Sequence, residues 1–264
     1  FAASAAGCSV ADWECIRSTV YLYPANAMTN AQAKAYEDQG FEIALHTDTG
    51  CASPTATEYT NQLAGQLSEL TTTYPSLQPS KTIRNHCISW SDYTTMPGVQ
   101  VATGINLDTD YYYWPGSWVS DTPGLFTGSG FAQRFSTTTG QLVDVYQATT
   151  QLTDESLQSY PSTAIALIDA AITKGYYGTF VANIHSDGSS EATNAQIIAA
   201  AKARGVPVIS AEQLLAWTDG RNASSFTNLV KTGNTLTFSI AKAAGANGLE
   251  AMLPVLGESG ALQS

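Results

Sequence analysis

The chain has 264 residues, of which only 12% are charged, and a formal net charge of -11. Its 11 Lys and Arg residues are too few to replace the counterions of a phosphate backbone, which argues against nucleic acid and anionic membrane as partners. No apolar run reaches the roughly 20 residues that a membrane-spanning helix needs, so no membrane span is predicted. The low ionic content and many hydroxyl groups favour a secreted, extracellular protein.

The four cysteines are Cys8, Cys15, Cys51 and Cys87. An even set without a CxxC pair predicts two disulfides rather than a metal cluster, and disulfides are typical of exported proteins. Three connectivities are possible. One of them joins Cys51 to Cys87 and would clamp together two loops that carry histidines.

Predicted strands and helices alternate along most of the chain. The apolar run before His46 predicts a buried parallel strand that ends at this histidine. Strands are predicted over 20–23, 41–46, 81–88, 104–113, 142–146, 177–184 and 206–209, and helices over 29–40, from 54 to just before Pro75, and over 161–174, 191–204 and 210–217. The long segment 115–140 is predicted to be a functional rim or lid. This alternation predicts an α/β fold whose parallel sheet closes, or nearly closes, into a β/α barrel over 1–220.

The sequence pattern changes after Gly220, where the alternation of strands and helices ends. Residues 226–230, 235–240 and 249–255 are typical of strands joined by Gly/Asn turns, and no helix fits them. Residues 221–264 are therefore predicted to be the start of a small β-sandwich module, incomplete at this length.

The three histidines of the chain, His46, His86 and His185, each lie at or near the end of a predicted strand. Because the carboxyl ends of parallel strands meet at one rim, all three are expected there, together with Arg84 and the carboxylates of the strand that ends near residue 110. Two imidazoles and a carboxylate can hold a zinc-like ion and leave one position for water. A third histidine can then protonate a leaving group.

Four segments carry a resemblance to a known family. GFEIALHT, TIRNHC, INLDTDYYYWP and VANIHSD, in this order, resemble the polysaccharide deacetylase family, metal-dependent carbohydrate esterases with a NodB-like catalytic domain. The resemblance spans roughly residues 29 to 217. It implies a distorted β/α barrel of the NodB-homology type and a divalent metal, zinc first among the candidates.

The resemblance also implies roles for individual residues. His46 would bind the metal, Arg84 would steady the catalytic base, and His185 would be the general acid. Asp108, Asp110, Tyr113 and Trp114 would form the substrate floor. The resulting activity is hydrolysis of N-acetyl or O-acetyl groups on an extracellular polysaccharide.

The chain departs from the family pattern at two places. Paired aspartates, which supply the base and a metal ligand, are expected on a strand before the first helix, but nothing before Thr29 supplies them. The second metal-binding histidine is expected four residues after His46, where this chain has Gly50. Either His86 or Asp48 completes the site, or the site is degraded. We expect the missing aspartates upstream, in a longer protein.

Simpler roles stand beside these. His46 can be a buried histidine satisfied by the backbone, Asp48 can only form a turn, and the aromatic residues can be packing. The alternative function is a non-catalytic carbohydrate-binding or adhesion protein that keeps the barrel but has lost the metal. A glycoside hydrolase is the weakest candidate, because Asp108 and Asp110 are neighbours on one strand rather than a pair across a cleft.

Overall fold

The computed structural model describes residues 2–111, 130–155, 158–175, 178–186 and 190–251, and the backbone of 256–257 and 260–261. It divides into two compact units, Phe1–Leu215 and Ala216–Ser264. The division falls within a helix, Ala211–Ala223. A domain boundary after residue 220 stays a prediction.

The sheet of the first unit contains six strands. They are β1 (Thr19–Leu22), β2 (Glu42–Thr47), β3 (Thr82–Asn85), β4 (Leu107–Asp108), β5 (Gln133–Ser136) and β6 (Leu142–Gln147). The strand order is β1-β2-β3-β4-β6-β5, and all neighbours are parallel except the antiparallel pair of β5 and β6. Two more strands, β7 (Thr150–Thr153) and β8 (Val181–Asn183), form a separate parallel pair. The α/β class with a mainly parallel sheet is confirmed, but the pairings among the described strands do not close a barrel.

Six helices lie in the described part of the chain. They are α1 (Asn30–Glu37), α2 (Ala56–Thr73), α3 (Thr95–Ala102), α4 (Ser162–Lys174), α5 (Glu191–Lys202) and α6 (Ala211–Ala223). Capping boxes begin α1 and α2, because Thr29 and Thr55 exchange hydrogen bonds with the residues three positions later. Gly175, at φ 65°, ends α4 in the left-handed conformation that glycine adopts without steric cost.

The core lies between the sheet and the helices. Leu45 and Ile83 from the sheet pack with Tyr59 and Leu63 of α2 in one cluster. A second cluster joins the sheet to Leu214, near the start of α6. From Glu42 to Leu45, β2 is buried on both of its faces, as expected for an inner strand of a parallel sheet.

The amino end of the sheet is tied together by the buried carboxylate of Glu42. Its Oε2 accepts hydrogen bonds from Thr19 Oγ1 at 2.6 Å and from the main-chain N of Glu212 at 2.9 Å. Its Oε1 accepts hydrogen bonds from the hydroxyls of Ser80 and Thr82, both at 2.7 Å. One side chain therefore connects β1, β2, β3 and the first turn of α6.

Several predicted strands are shorter than expected or absent. Of the strand predicted over 104–113, the described residues 104–111 form a strand at Leu107–Asp108. The predicted rim 115–140 contains β5, and residues 112–129 lie outside the described part of the chain. Residues 206–209 are not a strand, although Val208 O accepts one hydrogen bond from Arg17 N at 2.9 Å. A strand needs a continuous hydrogen-bonded neighbour, and a single bond does not supply one.

The second unit contains an antiparallel hairpin, β9 (Ser225–Thr232) and β10 (Thr235–Ala241). It coincides with the strands predicted over 226–230 and 235–240. The unit also contains the short pair β11 (Leu256–Gly257) and β12 (Gly260–Ala261), and residues 252–255 of the third predicted strand lie outside the description. The β-sandwich stays a prediction.

A membrane-spanning helix is not found: within the described residues, no helix combines the necessary length and apolar character.

Candidate functional site

The carboxyl ends of β2 and β3 bring two histidines together. His46 is paired with Arg84 in the parallel register, and His46 Nδ1 lies 3.1 Å from Arg84 O. Because a carbonyl oxygen only accepts, Nδ1 carries the proton and Nε2 keeps its lone pair. The ring of His86 lies 5.5 Å from that of His46, centroid to centroid. The structure thus places two of the predicted metal ligands side by side.

His46 is held in its neutral form. Burial lowers the pKa of its imidazole to about 4, and the positive charges of Arg84 and His86 act in the same direction. A neutral imidazole with a free Nε2 is the form that ligates metals or accepts a proton near pH 7.

Tyr23, the residue that follows β1, packs against both of these histidines. Its ring centroid lies 4.9 Å from that of His46 and 5.7 Å from that of His86, in edge-on geometry. Burial, and then the charge of Asp48, raise the pKa of its phenol. Sequence analysis did not select Tyr23 as a site residue. The signal was present, since it follows an apolar strand just as His46 ends one.

Asp48 serves the turn after β2. Its Oδ1 accepts a hydrogen bond from Gly50 N at 2.7 Å, and its main chain exchanges two hydrogen bonds with the Gln66 side chain. Its side chain is exposed. Sequence analysis gave Asp48 two alternative roles, turn formation and metal ligation. These contacts agree with turn formation.

A disulfide joins the two histidine loops. Cys51 pairs with Cys87, and Cys8 pairs with Cys15. Of the three possible connectivities, the structure therefore has the one that links the two histidine loops. Among the described residues, Cys51, His86 and Cys87 form a group of donor atoms within 4.8 Å of one another. Metals bind thiolates, however, and both sulfur atoms are in the disulfide.

The donor set therefore fits a zinc site only in part. His46 and His86 offer imidazole nitrogens of the right chemistry, whereas Asp48 does not join them in a group of three within 4.8 Å. A catalytic zinc ion has three protein ligands as a rule. Among the described residues, His46 and His86 are two candidates for these positions.

Arg84, whose carbonyl oxygen contacts His46, is buried, with 5% of its surface exposed. Its Nη1 donates hydrogen bonds to Thr109 O and to Thr150 Oγ1, the latter at 3.0 Å. The guanidinium thus bridges from β3 to the end of β4 and to β7, and it fixes their spacing.

Asp108 and Asp110 lie in the interior, with 4% and 1% of their surfaces exposed. Asp108 accepts hydrogen bonds from Gln100 Nε2 at 2.5 Å and from Asp110 N at 2.7 Å. Burial, and then the neighbouring charge of Asp108, raise the pKa of the Asp110 carboxyl well above its usual value. These contacts support a structural role, and substrate contact by either residue stays a prediction. Tyr113 and Trp114 lie outside the described residues.

His185 follows β8 and is held by a carboxylate that sequence analysis missed. Its Nδ1 lies 3.0 Å from Asp154 Oδ1, and its main-chain N donates to Asp154 Oδ2 at 3.0 Å. Ser190 Oγ donates to the same carboxylate. Burial alone would raise the pKa of Asp154, but the hydrogen bonds from Ser190 and His185 outweigh it and lower the pKa. Asp154 directly follows β7, and this position was the available signal.

All three histidines line one cleft, which we call the histidine cleft. It has a volume of about 1480 Å³, and its lining includes Tyr23, His46, Arg84, His86 and His185. The prediction that the strand ends place the histidines at a common rim agrees with this geometry. Their individual roles stay predictions.

An aromatic group accompanies the loop after β3. The ring centroid of Trp90 lies 4.7 Å from that of Tyr111, 5.6 Å from that of Tyr93 and 5.7 Å from that of Phe135. Tyr93 is 71% exposed. An exposed aromatic face of this kind can stack on a sugar ring. Sequence analysis did not select Trp90 or Tyr93.

Fold and site together define an α/β protein with a histidine-lined cleft at the carboxyl ends of its parallel strands. No protein-family model matches the chain, and no curated protein matches it. One solved structure found by comparison is the crystal structure of a mutant described as a CE4 family pseudoenzyme, at 12% sequence identity and a TM-score of 0.40. The match covers 76% of this chain and 57% of that one. A likeness of this degree establishes neither activity nor substrate.

Proposed function

We propose that the chain belongs to a secreted, polysaccharide deacetylase-like protein with a distorted β/α barrel of the NodB type. Its proposed activity is hydrolysis of N- or O-acetyl groups on an extracellular polysaccharide. The observation that carries the proposal is the shared lining of one cleft by His46, His86 and the Asp154-bound His185. The two disulfides support an exported protein.

His46 and His86 are the proposed metal ligands within these residues. The Nδ1–H of His46 is fixed on Arg84 O, which orients Nε2 as a ligand. When bound, a divalent ion such as zinc polarises an acetyl carbonyl and lowers the pKa of its water. Because no carboxylate among the described residues joins both imidazoles in a donor group within 4.8 Å, a further ligand and the catalytic base are still required.

His185 is the proposed general acid. Asp154 accepts from Nδ1 and holds the ring in one orientation. The opposite nitrogen, Nε2, can then deliver a proton to the departing amine or alkoxide. Arg84 is proposed as a positioning residue, because its hydrogen bonds fix the strand ends from which the cleft is built.

A second function, non-catalytic glycan binding, is favoured by specific contacts. The Tyr23 ring packs against both imidazoles, and Asp48 is engaged in its own turn instead of lying beside them. The exposed Tyr93 next to Trp90 offers a stacking surface that needs no metal.

Zinc titration by calorimetry, with elemental analysis after dialysis, tests the metal proposal. We expect near-stoichiometric zinc in the wild type and at least about tenfold weaker binding in His46→Gln and His86→Gln, because each removes one ligand. His185→Gln is the matched control and should bind zinc normally. Absence of binding in the wild type would rule out a zinc site within this chain.

Acetate release separates the two functions. N-acetylglucosamine oligomers and acetylated xylan test the N- and O-acetyl classes, respectively. Release that is lost in His46→Gln and in His185→Gln supports the hydrolase. Glycan binding that persists in both variants without release, but weakens in Tyr93→Ala, would favour the binding protein instead.

A further inference from the structure

The loops after β2 and β3 contain a cluster of metal-binding atoms, two of which are joined in a disulfide. The sulfur atoms of Cys51 and Cys87 and one imidazole nitrogen of His86 all lie within 4.8 Å of one another. Two thiolates and one imidazole are a donor set that catalytic zinc sites use, with three protein ligands and one open position. His86 and Cys87 also line the histidine cleft, so the cluster lies at its wall.

The Cys51–Cys87 disulfide differs from the Cys8–Cys15 disulfide in backbone conformation and in exposure. Cys51 and Cys87 have φ angles of 57° and 61°, in the left-handed region that non-glycine residues adopt only at an energetic cost. Neither Cys8 nor Cys15 has a positive φ. Cys51 is exposed, whereas Cys15 is buried. Since strained or exposed disulfides are the more readily reduced, a reductant should open the Cys51–Cys87 bond first.

Hydrogen bonds between the two loops do not depend on this disulfide. His86 N donates to Thr47 O at 2.7 Å. The hydroxyl oxygens of Thr49 and Ser89 lie 2.5 Å apart in the interior. Both contacts cross from one loop to the other, and neither involves a sulfur atom. They should hold the free thiols close to His86 after reduction, so that a metal ion meets donors that are already positioned.

We propose that reduction of the Cys51–Cys87 disulfide creates a zinc site whose protein ligands are the two thiolates and the His86 imidazole. A dithiol supplies two electrons and two protons to the disulfide and is itself oxidised to a disulfide, and each cysteine gains an S–H bond. Zinc then displaces both protons, forms two Zn–S bonds and accepts the lone pair of a His86 nitrogen. The proposal does not depend on the proposed hydrolysis, because it shares only His86 with the metal ligands named there.

Cobalt titration of the reduced full chain tests the site, because Co²⁺ takes the same ligands as zinc and its bonds to thiolates give charge-transfer absorption in the near ultraviolet. We expect this absorption in the wild type after reduction by a phosphine, and its loss when zinc is added. Cys8→Ser/Cys15→Ser should retain the absorption, and Cys51→Ser/Cys87→Ser should lose it. His46→Gln removes a ligand of the proposed hydrolase but should also retain the absorption, so the two metal proposals can fail separately.

Alkylation of the reduced wild type gives a second measurement that needs no variant to fold. The chain is treated with iodoacetamide with and without zinc, and peptide masses identify the modified cysteines. We expect zinc to slow the alkylation of Cys51 and Cys87 at least about tenfold, because bound thiolates are not available, and to leave Cys8 and Cys15 unchanged. Equal alkylation of Cys51 and Cys87 with and without zinc would overturn the proposal. Cobalt–thiolate absorption that is absent from the reduced wild type, or that persists in Cys51→Ser/Cys87→Ser, would also overturn it.

Discussion

The two sides of the histidine cleft hold their histidines in different ways. His46 and His86 are fixed by strand register, by burial and by a disulfide between their loops. His185 is 46% exposed along its side chain and is held chiefly by one carboxylate, Asp154. The first arrangement keeps the His46 imidazole neutral, whereas the second fixes the orientation of the His185 ring through a single hydrogen-bonded carboxylate. In the proposed activity, the rigidly held pair would bind the metal and the exposed His185 would supply the proton.

The largest expected loss of stability comes from removing the Cys51–Cys87 disulfide, on the side of the cleft that carries His46 and His86. Cys51 and Cys87 close a loop of sequence separation 36, whereas Cys8 and Cys15 are separated by 7. By loop-closure entropy, replacing the first pair with alanine should cost about 4 kcal/mol, and replacing the second about 2 kcal/mol. Urea unfolding of the two double variants measures both costs. Equal losses would show that the clamp does not act through the length of its loop.

Arg84 makes the next largest contribution to stability on the side of the cleft that carries His46 and His86. Arg84→Met removes a buried guanidinium and leaves Thr109 O and Thr150 Oγ1 without these donors, so about 3 kcal/mol of stability should be lost. Arg134, whose ion pair with Asp144 is partly exposed, is the matched control, and Arg134→Met should change stability little. A small effect at Arg84 would mean that water satisfies these oxygens.

The pH dependence of stability should report His46 directly. Its pKa is about 4 in the folded chain and near 6.5 when unfolded, so the unfolded state binds the proton more readily. Stability is therefore fully present above pH 6.5 and should fall by roughly 3 kcal/mol as the pH drops to 4. Unfolding of wild type and His46→Gln at pH 7, 5.5 and 4 isolates this contribution. Parallel curves for the two proteins would exclude it.

The smallest expected effect lies on the exposed side. Asp154→Asn should cost only about 1 kcal/mol, since it weakens hydrogen bonds at a partly exposed site. Its main consequence should be loss of a fixed His185 ring, visible as averaging between tautomers in the nitrogen NMR shifts of the imidazole. Unchanged shifts would show that Glu155, 3.9 Å from His185 Nε2, or the backbone suffices to hold the ring.

Local features of the fold and of the histidine cleft could be predicted from the sequence. Residue types at short spacing determine the capping box of α1 and the apolar run before His46. The Cys51–Cys87 disulfide belongs to one of only three possible pairings of the four cysteines. The Asp154–His185 contact spans 31 positions and depends on the register of β7 and β8, which composition does not determine. The packing of Tyr23 on His46 depends likewise on strand pairing. Residues 206–209 have the pattern of a strand, but strand formation also needs a neighbour.

The Glu42 carboxylate has a consequence for the timing of folding. Its partners lie 23 positions earlier, 38 and 40 positions later, and 170 positions later in the chain. Contacts of such long separation form late, because the loop between them must close first. During synthesis, the node around Glu42 can be completed only after Glu212 has left the ribosome. We therefore expect the amino-terminal strands of the first unit to be synthesised well before α6, which completes the contacts of Glu42.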